Sequence, residues 1–240
     1  MTVLPASDAR RNRLLAMLPA DEWQRWQPLL ELVAMPVGRV LAEPGAESTF
    51  AYFPTTAIVS LMYLTEQGAS TQIGMVGAEG MVGMALVMGG GSTPSRAVVT
   101  GGGEGYRLPA ATMAAAFTRS TAVAHLLLRY TQAMITQLAQ TAVCNRHHAL
   151  DQQLCRWLLQ TLDRMPGDEV VATHEAIAHM LGVRREGVTE AARKLQVAGL
   201  IRYARGHITV LDRAALLQRS CECYAVVQKE CDRLLRPPGL

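Results

Sequence analysis

The sequence lacks any apolar run long enough to cross a lipid bilayer. Its most apolar stretch, Gly74–Met88, is interrupted by Glu79 and by several glycines, and it is shorter than the ~20 apolar residues that a transmembrane helix needs. The first fifteen residues also lack the apolar segment of a secretory signal. We therefore expect a cytoplasmic protein with no membrane partner.

Cysteine is scarce, and common catalytic motifs are missing. The five cysteines are an odd number and none precedes residue 144, which gives no disulfide framework and agrees with a reducing compartment. The HExxH and GxSxG motifs and the lysine-containing phosphate loop are absent. We expect no enzyme, and the sequence identifies no cofactor and no metal site. The cysteines, to which the sequence assigns no role, are Cys144, Cys155, Cys221, Cys223 and Cys231.

The distribution of glycine and proline indicates an α+β protein. A chain of 240 residues, half of them hydrophobic, favours two modules with buried cores. From Val37 to Pro109, short apolar or alternating runs are separated by glycine, proline and serine turns, a pattern typical of a small all-β barrel or roll. Residues 7–33 show helical spacing instead.

Glycine and proline are then absent from Ala110 to Met165, which permits long helices. The apolar stripe of the first long helix needs a surface to cover it. A second copy of the helix is the most economical cover, so we predict a parallel or near-parallel homodimer seam. The alternative is that the stripe packs on the β-roll. The predicted seam residues are Leu127, Thr131, Met134, Leu138 and Ala142, with Leu128 and Ile135 beside them.

The segment after residue 169 has the pattern of a winged helix-turn-helix. Thr173 can cap a first helix, Gly182 can make the turn, and a second helix over Arg184–Ala198 can end at Gly199. Two short strands, joined at residues 204–206, would form the wing. The stretch Val183–His207 carries six arginines and lysines against two glutamates, the charge expected where phosphate backbones are met. A solvated helical hairpin is the alternative.

In a helix-turn-helix the first two turns of the second helix enter the major groove. Arginine suits guanine and glutamate accepts from the cytosine amino group, whereas contacts to phosphates carry no sequence information. The predicted base-reading residues are Arg185, Glu186, Thr189 and Arg193. The predicted phosphate contacts are His174, Arg184 and Arg205, with Thr173 at the helix start.

The segment HEAIAHMLGVRREGVTEAARKLQVAGLI resembles the DNA-binding motif of the CRP/FNR family of bacterial transcription regulators, with Arg185-Glu186 at the family's Arg-Glu pair. YFPTTAIVSL and the segment MALVMGGGSTPSRAVV are similar to the family's β-roll. The resemblance implies a cyclic-nucleotide-binding-like roll with N-terminal helices (1–119), a dimerisation helix and hinge (120–150) and a winged helix-turn-helix with a C-terminal helix (151–240). It also implies a homodimeric regulator that binds an inverted-repeat DNA operator, with RNA polymerase as a candidate partner.

The roll departs from the family's cyclic AMP site. Relatives that bind cyclic AMP use a Gly-Glu-Leu turn and an Arg-Ser pair, and this chain has other residues at both places. The carboxylate that would accept from the ribose hydroxyl is missing, and Arg96 is displaced by one residue, which on a strand turns it to the other face. We do not expect cyclic AMP to bind; another small-molecule effector stays open. The candidate pocket residues are Gly80, Met81, Val82, Ser95 and Arg96.

Metal binding is an alternative for some of the cysteines. Cys144, His148 and Asp151 could share one helix face and ligate a metal, or they could be residues of the bend before the DNA-binding domain. Cys221 and Cys223, two apart, would point to nearly opposite sides of a helix. The rival function is therefore an effector-binding or redox- or metal-sensing scaffold that does not bind DNA specifically.

Overall fold

The computed structural model describes residues 8–236, which divide into two compact units. The first unit comprises residues 8–61, 75–135 and 231–236; the second comprises residues 62–74 and 136–230. The elements up to the long helix are α1 (Arg13–Ala16), α2 (Ala20–Trp26), β1 (Glu31–Met35), β2 (Val40–Ala42), β3 (Phe50–Pro54), β4 (Ile58–Leu64), β5 (Ser70–Val76), α3 (Ala85–Met88), β6 (Arg96–Gly101), β7 (Gly103–Pro109), α4 (Ala110–Arg119) and α5 (Thr121–His147). The elements after it are α6 (Leu150–Leu162), β8 (Glu169–Val171), α7 (His174–Leu181), α8 (Arg185–Val197), β9 (Ile201–Ala204), β10 (His207–Val210), α9 (Arg213–Arg219) and α10 (Glu222–Leu234).

Strands β1 to β7 form the predicted roll. They make two sheets with strand orders β1-β7-β3 and β2-β6-β4-β5, and β1 and β3 both pair antiparallel with β7. Burial alternates along β6, where Ala97 and Val99 point inward and Arg96 and Val98 are more exposed. The interior is filled by small and medium-sized side chains, so it is a packed core. These residues are Met35, Ala57, Val59, Val76, Val82, Ala97 and Val99.

Asn12 connects the N-terminal helices to the roll. Its side chain is fully buried, and its amide oxygen accepts hydrogen bonds from the N–H groups of Leu14 (3.1 Å) and Leu15 (3.3 Å) at the start of α1. Its amide nitrogen donates to the backbone carbonyls of Pro54 (2.9 Å) and Gly80 (2.7 Å). One side chain therefore caps a helix and satisfies two buried carbonyls of the roll.

Helix α5 is continuous over 27 residues, as the absence of glycine and proline predicts, but its faces differ from the prediction. Leu127 is 2% exposed and lies in the core of the first unit, and Met134 packs against that core. Leu128 and Ile135 are 54% and 58% exposed. The predicted seam is therefore wrong at Leu127. Adjacent residues of a helix differ by about 100° in direction, and spacing alone does not show which of two neighbouring apolar rows faces the core.

The second unit is built around α6. Its residues from Gln153 to Leu162 are buried, polar side chains included, and the indole N–H of Trp157 donates to Gln72 (3.1 Å). The strands of this unit form a sheet of order β8-β10-β9. In the part of the chain that the structure describes, no helix combines the length and hydrophobicity that crossing a membrane requires.

Replacing Asn12 by Ala should destabilise the first unit by about 3 kcal/mol, since a helix cap is lost and two buried carbonyls lose their donor. Chemical denaturation should show a lower midpoint with an unchanged slope. Asp8→Ala is the matched control, because Asp8 caps only the exposed turn before α1 through Arg10 N–H. Equal losses for the two variants would show that the carbonyl contacts of Asn12 add nothing.

Candidate nucleic-acid interface

Helices α7 and α8 form the predicted helix-turn-helix. The hydroxyl of Thr173 accepts a hydrogen bond from Ala176 N–H (3.1 Å) and caps α7. Gly182 ends α7 in the left-handed conformation, with φ 67° and ψ 35°, which favours glycine. A side chain there would also collide with the hydroxyl of Thr71. The left-handed backbone and the contact with Thr71 therefore both require glycine at this turn.

Burial separates the two faces of α8. Val188, Ala191, Ala192 and Leu195 are buried and lie at helical spacing, so this row faces the core of the unit. The opposite face carries the predicted base-reading residues, all of them exposed: Arg185, Glu186, Thr189 and Arg193. The N-cap residue Arg184 makes no side-chain cap, so the first N–H groups of α8 keep their hydrogen-bonding capacity.

Strands β9 and β10 form the wing, joined by a two-residue turn. Ala204 pairs with His207, and the residues between them, Arg205 and Gly206, have φ values of 51° and 84°. Positive φ at both positions is the mark of a type I′ turn, which matches the twist of a hairpin. Among residues 8–236, Arg205 is the one non-glycine residue with positive φ. The turn holds the arginine at the tip of the wing, exposed to solvent.

The charged side chains of this surface differ in their partners. Arg193 forms a bidentate ion pair with Glu190, with N–O distances of 2.9 and 2.8 Å. The hydrogen bonds of this pair raise the pKa of Arg193 and lower that of Glu190. Within the described chain, no ion pair involves Arg184, Arg185, Glu186 or Arg205. These four side chains keep their charges available for a ligand.

His174 is held by its neighbours in the protein. Its ring stacks on Tyr203, with centroids 4.1 Å apart and planes at 20°, and its Nδ1 is 3.0 Å from the hydroxyl of Thr189. That hydroxyl also bonds to the Arg185 carbonyl (3.1 Å). The Nε2 atom is buried without a hydrogen-bond partner. Burial, and next the charge of Arg185, lower the pKa of His174, so the ring is neutral at pH 7.

Two residues of this cluster were not among those predicted. Tyr203 supplies the ring on which His174 stacks, and Gln196 accepts a hydrogen bond from Tyr203 N–H (2.8 Å), which connects α8 to β9. The sequence feature that could have drawn attention to Tyr203 is an aromatic residue between Arg202 and the turn of the wing. Its partner could not be identified from spacing, since His174 lies 29 positions earlier.

Residues 152–219 match the family model of the Crp-like helix-turn-helix domain. The chain carries a Crp-like helix-turn-helix domain. The matched range runs from α6 to α9 and includes both helices of the turn and the wing. No protein of curated function matches the sequence.

Solved structures share the fold beyond the Crp-like domain. A Eubacterium rectale protein assigned to the CRP/FNR family of transcriptional regulators has a TM-score of 0.71 at 19% identity, with 88% of this chain and 98% of that chain covered. A CRP/FNR-family transcriptional regulator from Thermus thermophilus gives a TM-score of 0.65 at 22% identity, with 79% and 98% covered. The regulator CLP of Xanthomonas campestris, described as responsive to c-di-GMP, gives 0.64 at 14% identity, with 81% and 100% covered. The predicted α+β class and the resemblance to CRP/FNR proteins are confirmed.

The first three candidate pocket residues lie outside the Crp-like domain, inside the roll core. Met81 and Val82 are buried. The Met81 carbonyl accepts from the hydroxyl of Tyr130 (2.8 Å), and Val82 pairs with Tyr52 through backbone hydrogen bonds of 2.8 and 2.9 Å. A side chain on Gly80 would collide with Tyr130, since its Cβ would lie 2.5 Å from the hydroxyl. Gly80 and Met81 therefore lie against Tyr130 of α5, and Val82 pairs with β3.

Ser95 and Arg96 lie apart from that cluster. Ser95 is buried and shares a hydrogen bond with the Thr93 hydroxyl (3.0 Å). Arg96 makes a bidentate ion pair with Glu43 (2.9 and 2.8 Å), on the face of β6 opposite to Ala97. The recess beside Glu43 has a volume of about 220 Å³, and Glu47 also lines it. None of the five candidate residues is among those that line this recess.

The lowered pKa of His174 gives a test of its position in the Crp-like domain. Its NMR titration should have a midpoint below the ordinary value of about 6.5 for histidine, and Arg185→Ala should raise that midpoint, because removal of a cation favours the protonated ring. The unfolded chain binds this proton at a higher pH than the folded domain does, so the free energy of unfolding should decrease as pH falls below about 6.5. His174→Gln should flatten this decrease. An ordinary midpoint for His174 would contradict its burial.

Proposed function

We propose that this chain is a sequence-specific DNA-binding transcription regulator that acts as a homodimer on an inverted repeat. The observation that carries the proposal is the free, exposed charge of Arg185 and Glu186 at the start of α8, within a Crp-like helix-turn-helix domain. In such domains the start of the second helix lies in the major groove. Two copies related by a two-fold axis would read half-sites roughly 34 Å apart.

Each base-reading residue has a different chemistry. Arg185 offers a two-pronged donor that matches O6 and N7 of guanine, and Glu186 offers an acceptor for the cytosine amino group. Thr189 is different, because its hydroxyl is engaged by His174 and by the Arg185 carbonyl. Its methyl group is the part that remains for a base, and the thymine methyl is the matching contact. Arg193 must break its ion pair with Glu190 before its guanidinium can contact a base.

Arg184 and Arg205 are the proposed phosphate contacts, together with the N–H groups at the start of α8. Both arginines are exposed and have no carboxylate partner among the described residues, and the positive end of a helix dipole favours an anion. We assign His174 and Thr173 a supporting role instead of a phosphate contact. The neutral, stacked ring of His174 positions Thr189, and the Thr173 hydroxyl caps α7.

The exposed apolar face of α5 supports the homodimer. Leu128 and Ile135 are seven residues apart, and Ala142 follows after another seven; Thr131 and Leu138 lie between them and are not fully buried either. Spacings of three and four that repeat every seven residues are those of a coiled-coil seam. We therefore propose the seam with Leu128 and Ile135 in place of Leu127 and Met134.

We further propose that the roll does not hold cyclic AMP. Carboxylates of Glu43 and Glu47 line the recess, and the nearby cation, Arg96, is already paired. A recess of about 220 Å³ is also smaller than the ~300–1,000 Å³ of typical ligand sites. The c-di-GMP responsiveness of the Xanthomonas campestris regulator suggests that another effector class is compatible with the fold. Isothermal titration calorimetry with cyclic AMP should give no binding heat at micromolar concentrations.

Arg185→Ala and Arg205→Ala should affect DNA binding differently. Against a duplex selected from random sequences, Arg185→Ala should cost about 1–3 kcal/mol and relax the preference at one base pair per half-site. Arg205→Ala should weaken the selected and a scrambled duplex equally and reduce the salt dependence by about one phosphate per subunit. Fluorescence anisotropy at two salt concentrations measures both effects.

Arg25→Ala is the control, because Arg25 is an exposed arginine of α2 and its loss changes the net charge by the same amount. If Arg185→Ala weakens both duplexes by one factor, Arg185 is a phosphate contact. If the wild-type protein selects no sequence at all, the rival function as a scaffold that does not bind DNA specifically is favoured.

The homodimer seam predicts a change in mass. Ile135→Glu would place two carboxylates against each other at the centre of the seam, so sedimentation equilibrium should show the mass falling from about twice the chain mass to about one chain mass. Leu217→Glu is the matched control, since Leu217 is exposed to a similar extent on α9 and outside the seam. A monomeric wild-type protein at micromolar concentration would contradict the proposal and the inverted-repeat operator with it.

A further inference from the structure

Three cysteines and a histidine converge in the second unit. The Sγ atoms of Cys144, Cys221 and Cys223 and a ring nitrogen of His148 all lie within 4.8 Å of one another. The three cysteines are buried and form a cluster of their own, and the imidazole is largely buried. Individual separations are 3.5 Å between Cys144 Sγ and Cys221 Sγ and 3.5 Å between Cys223 Sγ and His148 Nδ1.

The ends of two helices bring these residues together. Cys144 and His148 are one turn apart at the end of α5, where His148 N–H donates to the Cys144 carbonyl (3.1 Å). Cys221 precedes the first residue of α10, and Cys223 lies in the first turn. The expectation that Cys221 and Cys223 point to opposite sides is therefore wrong, because Cys221 is not helical. Asp151, the third ligand considered from the sequence, pairs instead with Arg219 (3.0 Å).

We propose that Cys144, His148, Cys221 and Cys223 bind one Zn²⁺ ion. Three thiolates and one imidazole are a common ligand set of structural zinc sites. Zinc–sulfur bonds of about 2.3 Å in a tetrahedron put the sulfur atoms about 3.8 Å apart, and the separation of 3.5 Å between Cys144 and Cys221 is close to that value. Carboxylate-preferring ions such as Mg²⁺ and Ca²⁺ do not suit this ligand set.

The imidazole of His148 is oriented as a zinc ligand would be. Its Nδ1 faces Cys223 Sγ, while its Nε2 is 3.2 Å from a carboxylate oxygen of Glu222. With the metal on Nδ1, the Nε2–H group donates to the carboxylate, which fixes the tautomer and strengthens the ligand. The side-chain amide of Gln153 donates to the His148 carbonyl (2.9 Å) and lies 3.4 Å from the Cys144 carbonyl. The turn that carries both ligands is therefore braced from α6.

A buried arginine points to an anionic centre. Arg156 is 4% exposed and donates to the Thr141 hydroxyl (3.2 Å), whereas its Nε has no hydrogen-bond partner. Among residues 8–236 Arg156 forms no ion pair with a carboxylate. Its positive charge acts on the thiol of Cys144. A buried guanidinium without a counter-charge is costly. A zinc ion with three thiolates carries one net negative charge and supplies that counter-charge.

Four protein ligands in a buried place leave no position for substrate, so the zinc is structural. Protons from the thiols pass to solvent as the thiolates bind, and no redox change accompanies the step. The ion would join the end of α5 to the start of α10 across a chain separation of 77 residues. Zinc binding does not depend on DNA binding, because none of the four ligands is among the residues proposed to contact DNA.

Zinc content is the first test. The full-length protein, purified without chelator and dialysed, should contain about one zinc per chain by mass spectrometry of the metal, and removal of zinc should lower the melting temperature. Cys221→Ser and Cys223→Ser should each lose nearly all of the metal. Cys155→Ser is the matched control, a buried cysteine outside the cluster whose thiol has its pKa raised to about 12, mainly by burial. Glu222→Gln should weaken zinc binding about 10–100-fold while zinc still binds.

A second measurement uses the wild-type chain, so the test still holds if the serine variants fail to fold. Compared with chelator-treated protein, zinc should slow the reaction of three of the five thiols with a thiol reagent under native conditions, and Co²⁺ in place of zinc should give the visible absorption of a tetrahedral thiolate site. Metal content unchanged in both serine variants, or no metal and no thiol protection in the wild type, would overturn the proposal. Formation of a Cys144–Cys221 disulfide in protein supplied with zinc would likewise assign the cluster to redox chemistry.

Discussion

The regular helical geometry of α5 is the constraint from which the roles of its side chains follow. One unbroken series of backbone hydrogen bonds runs from Thr121 to His147, so the direction of each side chain follows from its position. Leu127 is thereby committed to the core of the first unit and Leu128 to the surface. The same regularity places Cys144 and His148 one turn apart at the far end. A single element thus supplies a packing face, an open apolar face and half of a candidate metal centre.

The parts of the structure that could be predicted from the sequence are those set by local interactions. Thr173 and Gly199 each act within a few residues of their own position, as does the left-handed backbone of Gly182, and α8 begins and ends within one residue of the prediction. The exposed residues at the start of α8 followed from the position of the second helix in a helix-turn-helix. The β-roll was also predictable in kind, because its turns are rich in residues with special backbone preferences.

The unpredicted parts depend on contacts between distant residues. His174 and Tyr203 stack although they are far apart in the chain, and spacing along the sequence does not reveal that contact. The cysteine cluster was missed for the same reason, since two helix ends must meet before Cys144 and Cys221 become neighbours. The partners of the candidate pocket residues could not be predicted either, because a family pattern gives positions and not the contacts that Met81 and Arg96 make here.

In the turn of the wing, the backbone conformation and the charge of Arg205 place conflicting requirements on this residue. Arg205 adopts a φ of 51°, which glycine or asparagine tolerates better than arginine does, and its charged head makes no compensating ion pair in the described chain. Replacing this arginine with glycine or asparagine would thus relieve the backbone and remove a cation from the wing tip. The turn gives up some stability in exchange for a positive charge at that point.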